Sequence, residues 1–320
     1  MKNLPTVLIT APFDPKISQE LQGLCNVILA DPFETSMSLA DTSHRQYLAD
    51  ADVIVTELDV IDDAALDLAH RLSVVIACRS MPVNVDLAAC KVRGVEVRTT
   101  PARNADVTAD GAFGLLLNTL RQVGRSETWL RNEQWSSQDV YYPYREFRGP
   151  VLNRKMMGIV GGGAVGRRMA SRARGFGMEV VIYDPFVSQE QLGDLGRIVD
   201  LPELMSSSDV ISIHAPLIDA TRNLIGAREL ALLKSTAFLI NAGRAHIVNE
   251  AALREVLEDG RIAGAGLDVF WEEPLTNDHW LLRLESVTLT PHIAGASDDV
   301  VLEHSRQALD HIHEWLASTS

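Results

Sequence analysis

The stretch "MMGIVGGGAVGRRMA", Met156 to Ala170, contains the pattern Gly161-x-Gly163-x-x-Gly166. Clustered glycine is poor material for a helix or a strand, so something other than local stability favours it here. An apolar run precedes the glycines, and a helix opens at about Val165. Asp184 follows Gly166 by eighteen residues, at the end of the strand-like run "EVVIYD". In that setting Gly161 permits a tight turn, Gly163 lets the backbone approach a pyrophosphate, and Gly166 lets helix and strand pack closely. The helix N-terminus favours the phosphate charge. Asp184 would accept hydrogen bonds from an adenosine ribose and repel a 2′-phosphate, which favours NAD over NADP. Arg167 and Arg168 read as a solvated helix face.

Three further stretches could do chemistry: "LINAGRAHIVNEAAL", "GAGLDVFWEEPL" and "VTLTPHIAGAS". Each begins as a strand and runs into a polar residue at the strand's C-terminal edge: Arg244, Glu273 and His292. In an open α/β sheet that edge is where ligands bind. His246, His279, His304, His311 and His313 have no comparable setting. His311 and His313, two apart, do not share a helix face, so no metal site is expected.

The elements that must position these residues are legible as alternation. Up to about residue 100, short β-branched runs ("TVLITA", "NVILA", "VIVTE", "SVVIACRS", "VEVRTT") are separated by helical stretches, which implies parallel βαβ units. The segment "VTADGAFGLLLNTLRQVGRSETWLRNEQW" reads as one long helix, capped by Asn104 or Asp106, with Val107, Phe113, Leu116, Leu117, Leu120 and Val123 at helical spacing. A Tyr- and Pro-rich connector follows, and alternation restarts at Lys155. The C-terminal segment reads as an amphipathic helix. The expected fold is α/β: two doubly wound, parallel-sheet domains with a ligand cleft between them. Residues 1–100 plus 295–320 form the substrate domain and 101–294 the NAD domain.

Composition narrows the function. The chain has 320 residues and a formal net charge of −14. An acidic surface argues against nucleic acid or an anionic membrane as partner, but leaves a small anionic substrate open. No apolar run approaches the roughly 18 residues of a membrane span. The three cysteines, Cys25, Cys78 and Cys90, form no CxxC pair. With an N-terminus that does not read as a signal peptide, they point to a cytoplasmic protein.

Together with "GIVGGGAVG" and "SIHAPLIDATRNLIG", the three stretches resemble the D-isomer-specific 2-hydroxyacid dehydrogenase family. The resemblance covers nearly the whole second domain and, more loosely, the first. It implies an NAD-dependent oxidoreductase moving a hydride between the nicotinamide and C2 of a 2-hydroxy or 2-oxo acid. It implies that Arg244 binds the substrate carboxylate, that His292 is the acid in reduction and the base in oxidation, and that Glu273 holds the imidazole. Asp268 would hold the nicotinamide carboxamide, while His214 and Pro216 would line the cofactor side. A homodimer through the cofactor domain is expected, with the long helix as its natural interface.

The sequence departs from the family in one place that bears on substrate. Typical members carry a glycine-rich loop where this chain has "ACRSMPVNVD", Ala77 to Asp86. Arg79, Ser80 and Met81 become candidate substrate residues, with Arg79 suited to a phosphorylated or polyhydroxylated acid. Two alternatives stay open from sequence: an NAD-binding corepressor-like module, and a dehydrogenase of another small anion.

Overall fold

Short Val- and Ile-rich runs become parallel strands, and their β-branched side chains suit a surface buried on both faces. The computed structural model describes residues 4–31, 37–132 and 135–319. The chain divides into two units, one holding the residues up to Asn104 together with those from Ser297 onward, the other Ala105–Ala296.

The first unit carries β1 (Thr6–Ile9), β2 (Asn26–Leu29), β3 (Val53–Thr56), β4 (Val74–Ala77) and β5 (Glu96–Thr99). They form one sheet in the order β2-β1-β3-β4-β5, and every pairing is parallel. Leu8, Ile54 and Val75 face one apolar layer, and Val7, Val53 and Ile76 face the other. The C-terminal helix Asp298–Thr319 closes the second layer with Ala308, Leu309, Ile312 and Trp315. Fully burying a Val, Leu or Ile side chain, as at Val7, Leu8 and Ile312, contributes about 1.5–3 kcal/mol. Asp14, Asp62 and Asp86 cap helices by accepting from backbone N–H groups in the first turn.

The second unit carries β6 (Met156–Val160), β7 (Glu179–Tyr183), β8 (Arg197–Ile198), β9 (Val210–Ile213), β10 (Phe238–Asn241), β11 (Gly264–Leu267) and β12 (Val287–Leu289). The order is β12-β11-β10-β9-β6-β7-β8, again all parallel. Counted within the unit this is the dinucleotide-binding order 3-2-1-4-5-6 with one strand added. The order reverses between β6 and β9, which opens a crevice at their C-terminal ends.

The expected long helix is two: Ala105–Arg121 and Val123–Asn132. Gln122 between them has φ 52°, and the Asn118 side chain accepts from the Gly124 N–H, so the chain turns there. Val123, expected on the apolar face, lies past the break and is exposed. Glu133 and Gln134, at the end of the expected helix, lie outside the described residues. The first helix begins at Ala105. Asp106, in its first turn, pairs with Arg168 and Arg172. The hydrogen bond from Arg168 holds the Asp106 carboxyl below its ordinary pKa. The two arginines therefore clamp this helix to the one after the glycines. The connector contains the short helix Tyr142–Glu146, and the two-residue β8 was not anticipated.

Candidate active site

The glycine stretch folds as read. It leaves β6, turns at Gly161 with φ 103°, and enters the helix Ala164–Gly175. A Cβ on Gly161 would lie 2.6 Å from the Ala215 backbone nitrogen, and one on Gly166 would lie 1.9 Å from the Gly161 carbonyl oxygen. Those two glycines are required by the protein's own packing. Gly163 is different: its φ is −74°, it is exposed, and an added Cβ would meet nothing within 4 Å. Nothing in the fold demands glycine there. Open space over a helix N-terminus is what a pyrophosphate approaching the backbone requires, so the cradle fits a dinucleotide.

Asp184 sits half-buried after β7, accepting from the Gly162 N–H at 2.8 Å and the Phe186 N–H at 2.9 Å. Its carboxylate is fixed beside the cradle. Arg167 donates to the Gly162 carbonyl at 2.9 Å and also bonds the Gln191 carbonyl, and Arg168 pairs with Asp106. Both arginines are engaged within the unit rather than simply solvated. His214 follows β9 and shares a 2.7 Å hydrogen bond between Nε2 and the Ser212 hydroxyl. Its Nδ1 is buried without a hydrogen-bond partner among the described residues. Burial lowers its pKa to about 4, so it is neutral at pH 7. Pro216 is exposed, and its carbonyl accepts from the Thr221 hydroxyl.

The other three stretches deliver their polar residues from β10, β11 and β12. His292 Nδ1 donates to Glu273 Oε2 at 2.8 Å, and Glu273 Oε1 accepts from the Phe270 N–H at 2.9 Å. Burial pushes the Glu273 carboxyl up. The bonds from His292 and Phe270, with the charges of His292 and Arg244 nearby, outweigh this and hold its pKa below the ordinary value. Glu273 is therefore ionised at neutral pH. Arg244 is exposed, one of its terminal nitrogens donating to the Gly243 carbonyl at 2.8 Å.

Asp268 is only 1% exposed, and its oxygens accept from the Thr290 hydroxyl and the N–H groups of Ile293 and Ala294. The sequence singled out Asp268 but missed two partners of the same kind. Thr290 bonds Asp268. Buried Asn241 accepts from the Gly243 N–H and donates to the Arg244 carbonyl, shaping the arginine's turn. The signal available was a polar residue closing an otherwise apolar strand, in "FLIN" and in "VTLT".

Arg79, Ser80 and Met81 lie on the first unit, after β4. Arg79 is half-buried and donates through Nε to the Glu57 carbonyl at 2.6 Å. Ser80 Oγ accepts from the Ala102 N–H, while Met81 is exposed. Among the described residues no group of three or more His, Cys, Asp or Glu could hold a metal ion, and no helix is long and apolar enough to cross a membrane.

Comparison with known proteins identifies the family of the chain. Residues 113–294 match the model of the NAD-binding domain of D-isomer-specific 2-hydroxyacid dehydrogenases. The glyoxylate reductase of Aeropyrum pernix is 34% identical over 316 residues, covering 96% of this chain and 92% of that protein. That of Thermococcus litoralis is 38% identical over 252 residues, covering 78% of this chain and 76% of that protein. A crystal structure of an NADPH-dependent glyoxylate/hydroxypyruvate reductase from Sinorhizobium meliloti superposes with a TM-score of 0.75 at 28% identity, covering 98% of this chain and 95% of that one. The chain belongs to the D-isomer-specific 2-hydroxyacid dehydrogenase family and is a nicotinamide-dependent oxidoreductase.

Proposed function

We propose that the chain interconverts a 2-oxo acid and its 2-hydroxy acid through Arg244, Glu273 and His292. The observation that carries this is the 2.8 Å bond from His292 Nδ1 to Glu273 Oε2, with the Arg244 charge acting on the same carboxylate. The nicotinamide, when bound, supplies or accepts the hydride. The Arg244 fork pairs with the substrate carboxylate and draws electron density from the 2-oxo group. Nδ1 of His292 is committed to Glu273, which leaves Nε2 to give a proton to the 2-oxo oxygen in reduction and to take it back in oxidation. Ionised Glu273 fixes the ring orientation and stabilises the imidazolium.

The dinucleotide is held by Gly161, Gly163, Ala164, Val165 and Gly166, with His214 and Pro216 lining the cofactor side and Asp268 toward the nicotinamide carboxamide. Asp184 favours NAD, because its fixed negative charge repels a 2′-phosphate. The related glyoxylate reductases place glyoxylate first among candidate acids. Arg79 argues for a larger one. It is half-buried and tied by Nε, and no carboxylate of the described residues pairs with it. A phosphorylated or polyhydroxylated acid would use its remaining donors, with Ser80 and Met81 beside them.

A homodimer through the second unit is part of the reading. Trp129, Tyr142 and Phe147 cluster in a groove beside Val287–Leu289, the edge strand of its sheet, and Trp135, Tyr141 and Tyr144 are exposed nearby. An open strand edge with exposed aromatics suits a second copy of the chain. Three unpaired cysteines support a cytoplasmic location.

The test is NADH oxidation followed at 340 nm against glyoxylate, hydroxypyruvate, pyruvate, branched 2-oxo acids and phosphorylated sugar acids, with NADPH in parallel. Turnover with NADH on a 2-oxo acid supports the reading. NADH binding without turnover on any acid would favour a regulatory, corepressor-like role. Light scattering on the same sample should give near twice the 35.1 kDa chain mass.

A further inference from the structure

His292 has φ 55°, a left-handed conformation that is uncommon for residues other than glycine and costs free energy unless the surroundings hold it. Contacts on both sides of His292 hold it there. Thr290 N–H donates to the Leu267 carbonyl at 3.1 Å, which ties the end of β12 to β11. The Thr290 hydroxyl then donates to Asp268 Oδ1 at 2.6 Å. The same oxygen accepts from the Ile293 N–H, and Oδ2 from the Ala294 N–H, each at 2.9 Å. One buried carboxylate thus grips the chain on both sides of His292. On the far side the loop rests on the helix Ala105–Arg121 at Gly111. A Cβ there would lie 2.6 Å from the Ala294 carbonyl oxygen and 2.7 Å from its Cα.

We propose that Thr290 and Gly111 are positioning residues for His292. Thr290 orients the Asp268 carboxylate from one side, and Gly111 lets the helix backbone support the loop from the other. Together they hold the strained turn that aims Nδ1 at Glu273. The catalytic meaning of that aim rests on the dehydrogenase reading above, whereas the positioning itself can be read without turnover.

The experiment compares Thr290→Val, which keeps the shape and loses the hydroxyl, with Thr290→Ser, which keeps the hydroxyl, and with Gly111→Ala. Each is measured for kcat, KM and the NADH dissociation constant. Each is also examined by NMR of the histidine ring C–H groups, with the His292 signal assigned by its loss in His292→Asn. In the wild type His292 should give one sharp signal. In Thr290→Val it should broaden or split, kcat should fall roughly tenfold to a hundredfold, and NADH binding should stay within about twofold. Thr290→Ser should restore the sharp signal and most of kcat, and Gly111→Ala should behave like Thr290→Val. A sharp, unshifted His292 signal in both Thr290→Val and Gly111→Ala would overturn the proposal. So would a loss in Thr290→Val that serine does not restore. An inactive wild type with the same NMR pattern would leave the positioning standing and remove the proposed 2-oxo acid chemistry.

Discussion

The two halves of the second sheet make their turns by opposite means. At the end of β6 the chain turns on glycines, and the turn needs the side chains they lack: Gly161 leaves room for the Ala215 backbone and Gly166 for the Gly161 carbonyl. At the end of β12 it turns on His292, a side-chain-bearing residue at φ 55°, and the conformation is held by Asp268 and Gly111, 24 and 181 positions away. The cradle thus depends on what its own residues lack. The catalytic turn depends on what distant residues supply. Local backbone freedom suffices to admit a ligand. Holding a reacting side chain to within a fraction of an ångström takes buried, satisfied hydrogen bonds.

If the two halves have separate duties, variants should split along the same line. The largest effect is expected from His292→Asn. Turnover should fall on the order of 10²–10⁴-fold, the usual contribution of a positioned acid, while NADH titration by fluorescence stays unchanged. Gly163→Ala should give the mirror image. An alanine there meets no protein atom within 4 Å, so the melting temperature should hold. NADH binding should weaken about tenfold, roughly 1.4 kcal/mol, and kcat at saturating cofactor should survive. If Gly163→Ala lowered stability and spared NADH binding, the cradle would be a packing device.

A smaller effect concerns His214, between the two halves. Burial lowers its pKa from 6.5 to about 4, so between those values the unfolded chain binds a proton that the folded chain does not. Stability contributed by the neutral ring is complete above about pH 6.5, falls as pH is lowered, and levels off below about 4. Denaturant unfolding across that window should show His214→Gln with a flatter pH dependence than the wild type. An identical slope in both would remove His214 as its source.

The same contrast explains what was legible in the sequence. The alternation of β-branched runs and helical stretches predicts both parallel sheets, because each signal lies within one short segment. The glycine spacing and Asp184 were readable for the same reason. Arg244, Glu273 and His292 stood out as polar residues at strand ends. The bond between Glu273 and His292 came from resemblance, since no spacing rule joins positions nineteen apart across two strands. Thr290, Asn241 and Gly111 were missed. A threonine in a strand, an asparagine before a turn and a glycine in a helix are each ordinary alone, and become functional only through partners that folding brings up. The break at Gln122 was missed because helical periodicity continues through it, whereas the turn rests on the bond from the Gly124 N–H to Asn118.

In the proposed reaction a hydride passes between the nicotinamide and C2 of a 2-oxo acid. The most direct measurement takes the best acid from the NADH panel and repeats the reduction with NADH deuterated at C4 of the nicotinamide, on each face in turn. Mass spectrometry of the product then locates the label. One deuterium should appear on C2 of the 2-hydroxy acid from one of the two labelled cofactors and none from the other. Deuterium at another carbon, or NADH consumed with no labelled 2-hydroxy acid from either cofactor, would contradict it.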